Sequence, residues 1–217
     1  MTENSVALVS IDMHKGHLEK KIATLPLPED RARIVYANVL SILTRTRAQN
    51  IPVIHVVTSY RDSTESLSNP FWSSIETLGH NTRSHMGRHN LIGSMGTELM
   101  DGLFSSGDIL IGNKKRYDSF LWTDLEFVLR NLKTKYLLIV GVNTNSCILA
   151  TTISASTKDF YPIVIRDGVS TMDDIELQES AFKIISKSFG TVVESAELFS
   201  ALKKDGGLES LIKTYHE

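Results

Sequence analysis

The sequence predicts a single three-layer α/β domain: a mainly parallel, doubly wound sheet of about six strands between layers of helices. Two observations predict it. Short aliphatic or β-branched runs alternate with longer stretches of helical period, and right-handed crossovers between such runs make their strands parallel. The chain is also long enough, at 217 residues with 41% hydrophobic side chains, to bury one continuous core.

The elements follow in order. Val6-Ala-Leu-Val-Ser-Ile11 reads as a buried strand ending at Asp12. Residues 31–49 carry Ile34, Val35, Val39, Ile42 and Leu43 at helical spacing. Ile51-Pro-Val-Ile-His-Val-Val57 is a second strand, with Pro52 tolerated near its start. Asp108-Ile-Leu-Ile-Gly112 is a third, residues 121–132 a helix, and Tyr136-Leu-Leu-Ile-Val140 a fourth strand. A helix over 147–158, a strand Tyr161-Pro-Ile-Val-Ile165 and a helix over 175–188 come next. Thr191-Val-Val193 forms a short edge strand before one or two final helices. No linker, repeat or low-complexity tract divides residues 1–217. Residues 61–94 break the alternation: long, polar and turn-rich, they read as a lid or an oligomer contact.

Charge and composition narrow the function classes. A formal net charge of −2 and an isoelectric point of about 6.4 provide no overall basic field for nucleic acid or anionic membrane. The start, Met1-Thr-Glu-Asn-Ser, lacks the basic residues and long apolar run of a secretory signal. The longest apolar stretch, around 137–142, is far shorter than the roughly 20 residues that cross a bilayer. Cys147 is the only cysteine, so no intramolecular disulfide forms and a cytoplasmic location is expected.

In open parallel sheets ligands bind at the carboxyl ends of the strands. Asp12 ends the first strand, Lys115 follows the third, and Cys147 lies just past the fourth where a helix begins. Taken singly these are weak signals: a lone cysteine often packs as a small hydrophobe, and the run Lys114-Lys-Arg116 reads as solvated. Together they form a chemical unit. A helix N-terminus lowers a thiol pKa, a lysine stabilises thiolate, and a carboxylate can accept the thiol proton.

Three blocks then resemble the isochorismatase-like cysteine hydrolases, the superfamily of N-carbamoylsarcosine amidase, ureide-type amidases and nicotinamidases. They are Ala7-Leu-Val-Ser-Ile-Asp12-Met13; Lys115-Arg-Tyr-Asp-Ser-Phe120 with Thr123-Asp-Leu125; and Gly141-Val-Asn-Thr-Asn-Ser-Cys147 with Thr151-Thr152. Gly93-Ser-Met-Gly96 through Leu103 resembles the segment before the third strand. The resemblance implies Cys147 as nucleophile, Asp12 as base and Lys115 as the cation between them. It also implies a cis peptide at Val142–Asn143 and an oxyanion hole from the backbone N–H groups of Asn143 and Cys147. The implied reaction cleaves a small amide or carbamoyl C–N bond through a thioester, releasing ammonia or an amine.

Departures from the family pattern bear on the substrate. His14-Lys15-Gly16-His17 stands where Gln or Asn is common, which puts a potentially cationic rim near the pocket. Thr58-Ser-Tyr-Arg-Asp62 lacks the metal-binding pattern of nicotinamidases, and Asp167-Gly-Val-Ser-Thr171 lacks an arginine that would read a substrate carboxylate. His80, His85 and His89 fit no zinc spacing, so neither a metal nor another cofactor is expected. Phe71, Trp72 and Tyr117 are candidates for substrate contacts. The alternatives are an isochorismatase-type C–O hydrolase, a nicotinamidase-like enzyme and, last, a non-catalytic scaffold. A dimer or tetramer is expected, because residues 61–94 hold Phe71, Trp72, Ile75, Met86, Leu91 and Ile92, which need a surface to bury them.

Overall fold

The computed structural model describes residues 5–216, and the expectation about a secretory signal, which rests on the first residues, lies in part outside them. In chain order the elements are β1 (Val6–Ile11), α1 (Lys15–Leu18), α2 (Glu29–Arg47), β2 (Val53–Thr58), α3 (Ser63–Leu67), α4 (Pro70–Ile75) and β3 (Ile109–Lys114). Then follow α5 (Leu125–Asn131), β4 (Tyr136–Val142), α6 (Leu149–Thr157), β5 (Tyr161–Ser170), α7 (Ile175–Ser188), β6 (Thr191–Val193), α8 (Ser195–Ala201) and α9 (Gly207–Thr214).

One sheet carries the order β3-β2-β1-β4-β5-β6, with every neighbouring pair parallel. Strands buried on both faces read as continuous apolar runs, and β1, β2 and β4 are buried at every position. Alternation then splits each strand between two cores. Leu8, Leu138 and Ile163 meet Val35, Val39 and Leu43 of α2, with Leu198 of α8 and Leu208 of α9. Val9, Ile139 and Val164 face the other way, onto Leu129 of α5, Ala155 of α6 and Ile185 of α7.

The strand order reverses between β1 and β4, and a sheet of this kind opens a crevice at such a reversal. There the two strands come unusually close. Gly141 has φ +120°, and a Cβ built on it would lie 2.0 Å from the carbonyl oxygen of Ile11, so only glycine fits. Asp12 and the turn carrying Cys147 therefore leave the sheet side by side. No helix is long and apolar enough to cross a membrane among the described residues.

Residues 61–94 are more ordered than their composition suggests. Asp62 caps α3 by accepting from Glu65 N, and Asn69 caps α4 by accepting from Phe71 N and Trp72 N, with Pro70 in the first turn. Trp72, Ile75 and Met86 are buried within the chain itself, while Phe71 and Ile92 are exposed. Three of the six apolar side chains expected to need a partner surface are thus covered without one.

Candidate active site

Asp12 leaves β1 with φ 52°, a turn that aims its carboxylate across the carboxyl end of β2. Its Oδ1 accepts from Thr58 N at 2.9 Å and Thr58 Oγ1 at 2.8 Å, and its Oδ2 accepts from Lys114 Nζ at 2.6 Å. The same ammonium donates to Thr58 Oγ1 at 2.9 Å and reaches Cys147 Sγ at 3.4 Å. All three N–H bonds of Lys114 are thereby committed. Asp12, Lys114, Thr58 and Cys147 are all buried.

The lysine of this cluster is Lys114, not Lys115. Lys115 Nζ donates instead to Ser59 O at 2.6 Å and to Glu65 Oε2 at 3.1 Å, outside the cluster. Neighbours in a strand point to opposite faces, so a one-residue slip exchanges inside for outside. A bulge decides which lysine enters. Val56 pairs with Ile111 and Thr58 with Lys114, so two steps along β2 match three along β3. The extra residue brings Lys114 to the buried side that Ile111 occupies.

The three ionisable groups set one another. Burial alone would raise the Asp12 pKa, but the Lys114 ammonium, with His14 3.6 Å away on the other carboxylate oxygen, holds the carboxyl well below its usual range. Burial would lower the Lys114 pKa, yet Asp12 and Cys147 raise it above the ordinary lysine value. Burial pushes the Cys147 thiol up to about 11, with Lys114 pulling down and Asp12 pushing up. The resting cluster is carboxylate, ammonium and neutral thiol. A thiol pKa depressed by the helix terminus is not found: Cys147 sits, largely buried, in the π-helical turn Thr144–Ile148 ahead of α6.

The turn after β4 is held from several sides. The Val142–Asn143 peptide is cis. Asn143 Oδ1 accepts from Met172 N at 2.8 Å, and Asn143 O accepts from Ser146 N and Ile148 N, each at 3.1 Å. Val142 is fully buried behind the turn.

A cavity of about 370 Å³, including its open mouth, contains this cluster on one wall. Trp72 and Tyr117 line it, and Trp72 Nε1 donates to Tyr117 Oη at 3.0 Å. Phe71, on the same helix as Trp72, is 56% exposed and does not line it. Two arginines do, neither singled out in the sequence. Arg83 is clamped by Asp173 at 2.6 Å and donates to Tyr117 Oη at 3.1 Å. Arg116 stacks 4.9 Å from the centre of the Trp72 ring, and its hydrogen-bond partners, Lys115 O and Ser68 Oγ, are neutral.

His14 and His17 do not lie at an exposed rim. Both are buried, and burial, reinforced by His14, lowers the His17 pKa to about 3. Of the histidines in residues 61–94, only His89 joins them, because the chain folds it back over α1.

Comparison with known proteins agrees with this architecture. A family model described as the isochorismatase domain matches residues 6–197. A ureidoacrylate amidohydrolase RutB from Methylobacterium radiotolerans is 28% identical over 174 residues, 77% of this chain and 67% of that protein. Another RutB, from Methylorubrum extorquens, is 32% identical over 108 residues, 49% of this chain and 43% of that protein. The chain therefore aligns with less than half the length of that curated relative. The crystal structure of a cysteine hydrolase from Pseudomonas syringae pv. phaseolicola superposes with a TM-score of 0.79 at 21% identity, covering 94% of each chain. With the family model spanning nearly the whole sheet and the site at its switch point, the chain belongs to the isochorismatase family.

Proposed function

We propose that this protein is a cysteine hydrolase that cleaves the C–N bond of a small amide or carbamoyl compound, with Cys147 as nucleophile, Asp12 as general base and acid, and Lys114 as the cation between them. One observation carries the reading: the Lys114 ammonium lies 2.6 Å from Asp12 Oδ2 and 3.4 Å from Cys147 Sγ. When the thiol proton passes to Asp12, the negative charge moves from carboxylate to sulfur while the ammonium stays beside both. The buried unit keeps zero net charge throughout, so burial does not oppose the step.

The thiolate attacks the carbonyl carbon, and the oxyanion is received by the backbone N–H groups of Asn143 and Cys147. Protonated Asp12 gives its proton to the leaving nitrogen as the C–N bond breaks. Water then attacks the thioester and Asp12 takes its proton. Cleavage of the C–S bond releases the acid and restores the thiol. Arg116, whose guanidinium has neutral partners, gives the wall a positive charge suited to a substrate carboxylate. The RutB relatives, named for hydrolysis of ureidoacrylate, support this substrate class.

The test is ammonia release across N-carbamoyl amino acids, ureido acids and small primary amides. Release from a carboxylate-bearing member is expected, with KM raised roughly 10-fold or more in Arg116→Gln, the loss of a charged hydrogen bond. Release from none of them sinks the C–N reading.

A further inference from the structure

Three imidazoles stand beside the catalytic cluster without a part in the mechanism above. His14 and His17 come from the connection after β1, and His89 from the segment before β3. Their side chains are buried, with ring centres 4.7 Å apart for His14–His17 and for His17–His89, and 5.5 Å apart for His14–His89. One nitrogen of each ring lies within 4.8 Å of one on each of the others.

The other nitrogens are braced. His17 Nδ1 donates to Leu25 O at 2.7 Å, because a carbonyl only accepts, and this leaves the Nε2 lone pair free. His89 Nδ1 meets Thr24 Oγ1 at 2.8 Å. His14 Nε2 faces Asn90 Nδ2 at 2.9 Å and Asp12 Oδ1 at 3.6 Å, while its Nδ1 is buried with no hydrogen-bond partner. Asn90 Oδ1 is likewise buried and unpartnered. Three imidazoles packed this closely, with a buried His14 nitrogen left without a partner, are costly unless something occupies the centre.

We propose that His14, His17 and His89 bind a divalent transition-metal ion of the zinc class. Imidazole nitrogen suits zinc, copper and nickel, and three protein ligands with a fourth position open is the arrangement of reactive rather than structural zinc. Ligating histidines characteristically have their other nitrogen held by a carbonyl, hydroxyl or carboxylate. That pattern holds here for His17 and His89. For His14 the ligating nitrogen would be the unpartnered Nδ1, which puts the proton on Nε2 toward Asp12 Oδ1, 3.6 Å away, and requires Asn90 Nδ2, held by Thr58 O at 2.9 Å, to draw back from Nε2. A metal about 2.1 Å from each nitrogen draws the three rings inward by a few tenths of an ångström to about 1 Å.

His17 and His89 line the cavity that holds Cys147, so the open position faces the reacting carbonyl's surroundings. The ion's outer ligand there is water or a donor atom of the substrate. The binding site stands on the geometry of the imidazoles alone, whereas its use in turnover rests on the hydrolase reading. The site also reverses the expectation of a metal-free protein, which weighed His80, His85 and His89 as a group and not the residues that the fold assembles.

The experiment is calorimetric titration of zinc into protein stripped with a chelator, near neutral pH, with thermal melts alongside. One ion per chain is expected for the wild type and for Cys147→Ala, with the melting temperature raised on binding. His17→Ala and His89→Ala should each weaken binding by more than about 100-fold, beyond what loss of an outer partner costs. If either variant melts early, His17→Gln and His89→Gln, which keep a polar group of similar size, take its place. A folded wild type with no saturable binding below about 1 mM zinc overturns the site. So does affinity that survives the histidine changes but is lost in Cys147→Ala, which would place the ion on the thiol. Neither result depends on whether any amide is hydrolysed.

Discussion

Lys114 Nζ and Asp12 Oδ2 are 2.6 Å apart with both side chains sealed from solvent, while the adjacent Lys115 reaches Ser59 O and Glu65 at the edge of the protein. Two neighbouring lysines of identical chemistry thus have separate environments, and the difference is measurable.

Lys114→Met should reduce kcat/KM by at least about 1000-fold, because the cation that accompanies charge from Asp12 to Cys147 is gone. Lys115→Met should stay within a few fold of wild type, since a partly exposed pair such as Lys115–Glu65 contributes about 1 kcal/mol or less. Steady-state kinetics of the two variants, side by side, check this. A large loss in Lys115→Met with Lys114→Met active would return the catalytic assignment to Lys115.

Cys147 should resist alkylation at neutral pH. Burial pushes its thiol up to about 11, so iodoacetamide labelling should climb through the alkaline range toward that value. The neighbours act with opposite signs: Lys114 lowers the thiol pKa and Asp12 raises it. Asp12→Asn should therefore shift the labelling profile to lower pH and Lys114→Met to higher pH. Shifts in the reverse sense, or none, would mean the sulfur is not coupled to these charges.

Asp12 and Lys114 should behave as one energetic unit. Removing one member strands a buried charge, at a cost of about 3–5 kcal/mol in unfolding free energy. The double variant Asp12→Asn/Lys114→Met should cost less than the sum of the two single changes, because no uncompensated charge remains. Urea unfolding of all four proteins gives the cycle. Strictly additive losses would contradict the pairing.

Much of this was legible in the sequence. All six strands were found: β1, β2 and β4, buried on both faces, are written as unbroken aliphatic runs, and Asp12 and Cys147 lie where β1 and β4 end. The lysine buried beside Asp12 lies one residue before the expected Lys115, since the bulge opposite Thr58 alters the facing of the last residues of β3 without a compositional mark. β5 runs five residues beyond the expected end, to Ser170, because Arg166, Asp167 and Gly168 interrupt its apolar run without ending its extended backbone. The histidine cluster was illegible for a different reason. His89 lies 72 residues from His17, and only the packing of the pre-β3 segment onto α1 brings them together. Arg83 reaches the cavity wall in the same way, from the segment expected to be a lid or an oligomer contact, whereas Arg116 follows directly on the strand that carries Lys114.

Acylation of Cys147, with Lys114 and Asp12 managing the charge, can be read by acid-quenched intact-protein mass spectrometry during turnover of whichever amide the ammonia screen identifies. An adduct of the substrate's acyl mass is expected, mapped by peptide analysis to Cys147 and absent from Cys147→Ala, which also releases no ammonia above background. Ammonia release at an undiminished rate by Cys147→Ala would contradict it.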